Sequence, residues 1–157
     1  MKAVTHYLFS IGVSLGLLSL AGQLALWSTA MAIWLSVAIN YLIDVVGHVS
    51  RDGRPTRMPL THSVLTAPLW GLLISIASLG ALTHLPNPAS SSGEDLFWAL
   101  MGMLVSGEHL FLDSLTQAGI YGRRGRMAIA HFSYDNAALN IGFALLGVLL
   151  ILFALGP

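Results

Sequence analysis

The chain has 157 residues, of which 55% are apolar and 9% charged, where an ordinary soluble domain carries about a quarter charged residues. Its net charge is zero and its mean hydropathy is +0.76, so most of the chain must avoid water and nothing in the charge favours nucleic acid as a partner. Cysteine is absent, which excludes disulfides and thiolate metal sites and leaves His, Asp and Glu as the candidate ligands.

At this length the expectation is one all-α domain over residues 1–157, a polytopic membrane helical bundle with about five transmembrane helices. Lys2 followed by an apolar run imitates a secretory leader. The run continues past leader length to Val46, so it reads as two mature helices. A spanning helix needs about 20 mostly apolar residues, and five segments qualify. The first runs from Thr5 to Ala21 and ends at a turn marked by Gly22 and Gln23. The second runs from Leu24 to Val46. A polar stretch from His48 to His62 follows, and Pro55 and Pro59 prevent it from continuing as helix. The third helix is expected from Ser63 to Thr83. A connector rich in Pro, Ser and Gly joins it to the fourth, Asp95 to Leu115. A second polar loop, Thr116 to Ser133, leads to the fifth, Tyr134 to Leu155.

Orientation follows from the basic residues. Lys2 precedes the first helix, three arginines including Arg54 and Arg57 lie between the second and third, and Arg123, Arg124 and Arg126 lie between the fourth and fifth. The remaining loops and the C-terminal segment have none. The expectation is a cytoplasmic N-terminus, five crossings and insertion in the cell membrane.

The ionisable residues gather at that same face. His6 opens helix one, Asp44 and His48 close helix two, and His62 opens helix three. Glu108, His109 and Asp113 close helix four, and His131 and Asp135 open helix five. Of the six histidines only His84 falls on the outer side, and Asp52 is a loop residue. Asn40, Asp44 and His48 are spaced by four, as are His109 with Asp113 and His131 with Asp135, so each set shares a helix face. Side chains from facing helices hold divalent metals in bundles in this way. Imidazole with carboxylate suits zinc, manganese, iron or nickel. Glu108 points about 100° away from His109 on an ideal helix. Asn136 and Asn140, also four apart, are placed to hydrogen-bond to the site or to join helices. The bland readings are that each histidine is an interfacial residue, each His–Asp pair a structural hydrogen bond, and each arginine a topology determinant.

Four blocks resemble the YdjM-like predicted membrane-bound metal-dependent hydrolases. Ser106-Gly-Glu-His-Leu-Phe-Leu-Asp-Ser-Leu-Thr-Gln-Ala-Gly119 looks like the signature of that family in which a His is followed by an Asp four residues on and then Leu-Thr-x-x-Gly. Thr61-His62-Ser63 resembles its central Thr-His-Ser, and Thr5-His6-Tyr-Leu-Phe-Ser10 its N-terminal Gly-His-x-x-x-Ser. Leu42-Ile-Asp-Val-Val-Gly-His48 stands where the family has Pro-Asp-x-Asp-His. Ile129 to Asn136 looks more like an archaeal branch of such proteins. The two close acids of the family become one here, Asp44, and Arg57 stands where the family often has a His. The resemblance implies a hydrolase with a divalent metal, zinc in the first place, held by His6, Asp44, His48, His62, His109 and Asp113, with His131 and Asp135 in a second tier. Glu108 or Asp113 is the candidate base. Arg54, Arg57, Arg123, Arg124 and Arg126 are candidates to hold the phosphate of a lipid phosphoester, because the site opens at headgroup depth in membrane lipid. The rival readings are a cation- or proton-binding transporter or channel, a scaffold whose His–Asp pairs tie helices together, and an intramembrane protease.

Overall fold

The computed structural model describes residues 1–51, 54–82 and 92–156, with backbone alone at 50, 51, 54, 55, 82 and 92. Five helices carry the fold: α1 (Ala3–Leu20), α2 (Leu26–Gly47), α3 (Thr66–Leu82), α4 (Ser92–Ser114) and α5 (Ala137–Leu155). Two antiparallel hairpins join them, β1 (His48–Arg51) with β2 (Arg54–Arg57) and β3 (Ile120–Gly122) with β4 (Gly125–Met127). Both lie in the polar stretches whose composition predicts loops.

The helices alternate in direction. The turn from α1 to α2 closes through Gly22, whose φ of 66° lies in the left-handed region that glycine adopts without a Cβ penalty. The start of α1, the end of α2, the start of α3, the end of α4 and the start of α5 therefore meet at one end of the bundle, with both hairpins. Two pairs of helices pack backbone to backbone. A Cβ on Gly12 of α1 would stand 2.3 Å from the Gly147 carbonyl of α5, and one on Gly71 of α3 would stand 2.0 Å from the Gly102 carbonyl of α4. Small residues allow this approach in apolar bundles, where close packing rather than water exclusion joins helices. Between the pairs lies a core of Leu15, Leu18, Met31, Leu35, Ile39, Ile43, Trp98, Met101 and Val105.

The outer faces are apolar too. Leu145, Leu149, Leu152 and Phe153 of α5 and Leu69 and Leu73 of α3 are exposed, where a soluble bundle would carry charge. Among the described residues four helices, α1, α2, α4 and α5, are long and apolar enough to cross a membrane. The expected fifth, α3, is a shorter apolar helix of 17 residues, which spans about 26 Å at 1.5 Å per residue, short of the ~30 Å hydrocarbon core. It starts later than the sequence pattern suggests because the His62–Val64 backbone bonds elsewhere. Tyr121 N donates to the His62 carbonyl (2.8 Å) and Val64 N to the Tyr121 carbonyl (3.0 Å). α5 likewise starts at Ala137, not Tyr134. Phe132 is held in a bridge to Thr116, and the Asn136 side chain caps the helix by accepting from Leu139 N.

Replacing Gly12 by Ala is expected to lower stability by about 1–3 kcal/mol through backbone clash. Gly142→Ala, where an added Cβ meets nothing within 4 Å, should be neutral or gain up to about 1 kcal/mol. Unfolding in mixed detergent micelles, followed by circular dichroism, checks both.

Candidate metal centre

Asp113, in the last turn of α4, is the hub. Its side chain is 1% exposed. Oδ1 receives Arg57 Nη2 at 2.6 Å and the Met1 amino group at 3.0 Å, with His6 Nε2 at 3.3 Å. Oδ2 receives no hydrogen bond among the described residues. It faces His109 Nε2 at 3.3 Å and His62 Nε2 at 3.5 Å. Asp44 Oδ1, from the end of α2, approaches the same two nitrogens at 3.6 and 3.9 Å.

The hydrogen bonds behind these rings set their chemistry. Asn40 Nδ2 donates to the Ser36 carbonyl (2.7 Å) and to Ser10 Oγ (3.2 Å), so Asn40 Oδ1 faces His109 Nδ1 at 2.8 Å. An amide oxygen only accepts, so Nδ1 carries a hydrogen, and in the neutral ring the lone pair is then on Nε2. His62 Nδ1 is 2.9 Å from Thr61 Oγ1, which likewise leaves Nε2 to face the acids. Burial, and then the neighbouring His109, push the His62 imidazole down to about 2; it is neutral at physiological pH, as a metal ligand must be. Burial also pulls the Arg57 guanidinium below its ordinary value, with Asp113 pushing the other way.

His62 Nε2, His109 Nε2 and Asp113 Oδ2 are buried and make no hydrogen bond among the described residues. Buried polar atoms are nearly always paired, and here three unpaired ones converge with Asp44 Oδ1. A tetrahedral ion with ligands at about 2.0–2.1 Å sets them about 3.3–3.4 Å apart. The four measured nitrogen–oxygen distances, 3.3 to 3.9 Å, lie at or just beyond that spacing. The donor set, two imidazoles and two carboxylates, suits a divalent cation. His6, His109 and Asp113 form one potential ligand triad, and Asp44, His48 and His62 a second. They adjoin because His62 and His109 each reach both acids.

The other expected site residues divide. The His6 ring stacks on His109 at 4.2 Å and reaches only the saturated oxygen of Asp113. His48 caps α2 at the rim, 32% exposed, with Nδ1 2.8 Å from the Asp44 carbonyl. Arg57 is occupied: besides Asp113 it donates to Thr116 Oγ1 and the Gly119 carbonyl. Arg123, Arg124 and Arg126 are exposed on the β3–β4 hairpin, and Arg126 is tied to the Ala118 and Gln117 carbonyls. Glu108 is buried beside Ser10, away from the convergence, with neither oxygen hydrogen-bonded among the described residues. His131 and Asp135 do not share a helix face, since both precede α5. They are exposed, and Asp135 accepts from Ser133 Oγ. The Arg54 side chain, Asp52 and His84 lie outside the described residues.

Two supports carried no sequence signal. A Cβ on Gly47 would meet Thr61 Oγ1 at 2.0 Å and His62 Cε1 at 2.5 Å, so glycine alone lets α2 pass the His62 ring. Tyr121 pins the His62 backbone and donates its own hydroxyl to the Arg57 carbonyl at 3.1 Å. A third, Asn140 of α5, was legible as a polar residue inside an apolar helix; it accepts from Lys2 N and Thr5 Oγ1 and fixes the start of α1.

Fold and site together define a helical bundle, with the dimensions of a membrane protein, built around a candidate metal centre. The chain belongs to the family described as protein of unknown function (DUF1286), which matches it over residues 1–112. That stretch holds His6, Asp44, His48, His62 and His109 and stops just before Asp113. No curated protein and no solved structure matches the chain.

Because Asn40 orients His109, Asn40→Leu is expected to weaken binding of a divalent metal about 10–100-fold, and Arg124→Ala to leave it unchanged. Competition against a chromophoric chelator in detergent measures both. Affinity should fall as pH drops, since the ligands must be deprotonated.

Proposed function

We propose that the chain is a membrane-embedded, metal-dependent hydrolase whose centre opens at the cytoplasmic face and acts on a lipid phosphoester. The observation that supports this best is the convergence of His62 Nε2, His109 Nε2, Asp44 Oδ1 and Asp113 Oδ2, three of them buried without partners. The resemblance of the same residues to the predicted membrane-bound hydrolases points the same way. Orientation rests on Lys2 and all six arginines falling at the site end.

A divalent ion held there, zinc in the first place, supplies Lewis acidity and makes bound water acidic enough to react near neutral pH. The protein residues do the rest. Asp44 and His48, 29% and 32% exposed, form the accessible edge, and a substrate reaches the centre across them. His48 engages the Asp44 carbonyl through Nδ1, and its Nε2, with no hydrogen bond among the described residues, is the atom that would act as the base at that edge. This assigns the base to His48 in place of Glu108. Arg57 holds Asp113 through Oδ1, with Oδ2 turned toward the His62 and His109 rings. Arg123 and Arg124 add positive field at the same end for an anionic headgroup.

One observation favours a cation- or proton-binding transporter. Ser10, Ser14, Ser36 and Asn40 continue the polar interior beyond the site. That file ends against Leu15, Leu18, Leu35 and Met31, so it does not reach the far side.

Metal analysis and turnover decide between these readings. Purified wild type should carry zinc or another transition metal near one per chain and release phosphate from a phosphatidic acid. His62→Ala and Asp44→Asn, eluting as folded protein, should lose the metal and at least about 100-fold in rate, as expected when a cation that supplies several kcal/mol is removed. His131→Ala and Asp135→Ala should keep both. A folded wild type that takes up no metal after supplementation removes the hydrolase reading.

A further inference from the structure

The α2 face that leads to the centre borders a cavity of about 700 Å³ between α2 and α3. It is there because α3 is drawn onto α4 by the Gly71–Gly102 crossing and stands away from α2. Trp27, Trp34, Ala38 and Tyr41 line it from α2, and Ile74 and Ser78 from α3. The walls are almost wholly apolar, and Trp34 Nε1 donates to Ser78 Oγ at 2.9 Å across the groove.

Two observations say what fits. The first is continuity. The lining residues of α2 follow one stripe, Trp27, Met31, Trp34, Ala38 and Tyr41. The centre of that stripe continues to Val45, and Asp44 and His48 flank it one heptad beyond Val37 and Tyr41, which both line the groove. These two residues are also the exposed edge of a centre whose other members, His6, His62, His109 and Asp113, are at most 1% exposed. The groove therefore ends where the centre opens. The second is length. From Trp27 to Tyr41 the groove runs about 21 Å at 1.5 Å per residue, between walls that are almost wholly apolar. That length exceeds the ~15 Å half-thickness of a hydrocarbon core, so a full lipid tail is accommodated.

We infer that the α2–α3 groove holds the tail of a long-chain lipid whose phosphate headgroup lies over Asp44 and His48. The headgroup chemistry rests on the lipid-phosphoester reading above. The groove then selects by tail: Trp34 and Tyr41 flank a chain that enters sideways from the bilayer, and the headgroup reaches the centre without leaving interfacial depth.

The test uses the full chain, zinc-loaded, in phosphatidylcholine vesicles containing phosphatidic acid with a photoreactive diazirine in one tail. Cross-linked positions are mapped by mass spectrometry. Label is expected to concentrate at Trp34, Ala38 and Ser78, several-fold above Leu145 and Leu149 on the outer face of α5, which report bulk lipid. Ala38→Trp should reduce it to the α5 level with zinc content unchanged. Equal labelling of the two faces in wild type overturns the inference. So does efficient disulfide formation between two copies of Ser78→Cys, which is the sole cysteine in that variant and would place a second copy on the groove. Phosphate release from unlabelled lipid is read in parallel. Concentrated label without release sinks the hydrolase reading and keeps the groove; release with even label does the reverse.

Discussion

The structure depends on how the Asp113 carboxylate is held. A buried ionised acid is costly unless it is paired and hydrogen-bonded. Here one oxygen meets the Arg57 guanidinium, the Met1 amino group and His6, while the other is left facing two imidazole nitrogens. The saturated oxygen keeps the acid charged. The empty one turns that charge toward a point where two lone pairs and Asp44 already converge. Four electron-rich atoms in that arrangement repel each other unless a cation lies among them.

Much of the remaining fold serves this arrangement. Arg57 reaches Asp113 from β2, and the same side chain binds the loop after α4 through Thr116 and Gly119. The β3–β4 hairpin holds His62 out of α3 by bonding its backbone, so the ring turns inward instead of following the helix surface. Asn140 ties the start of α1 to α5, which seats His6 and the amino terminus. Both ends of these contacts lie far apart in the chain and meet only because each helix reverses the direction of the last.

The polar atoms at this end fit a metal-binding rather than a merely structural cluster. A structural His–Asp tie would pair its donors and acceptors. Asn40 and Thr61 do pair with the Nδ1 atoms, yet the Nε2 atoms beyond them make no hydrogen bond among the described residues. Orienting the far side of an imidazole while leaving the near side bare is what ligand support requires. In the hydrolase reading proposed above, the accessible edge at Asp44 and His48 and the apolar groove beside it give a lipid substrate its route.

The amino-acid sequence by itself determined the all-α class, the apolar character of the helices and the end of the bundle at which the ionisable residues gather. Hydropathy and the spacing of Asn40, Asp44 and His48 and of His109 and Asp113 are local properties, carried by one face at the end of α2 and one face of α4. The tertiary structure alone decided which histidines converge. His131 and Asp135 have the same spacing as His109 and Asp113, but the Thr116–Phe132 bridge and the Asn136 cap keep them out of α5 and exposed. Arg57 reads as a free phosphate binder until the fold brings it to Asp113. Gly47 and Tyr121 carry no pattern at all, because their roles are to allow an approach and to pin a backbone from elsewhere in the chain. Spacing along a helix fixes direction within one element, whereas the meeting of lone pairs from α2, α4 and the segment before α3 is a relation among elements, set by glycine crossings and hairpin hydrogen bonds.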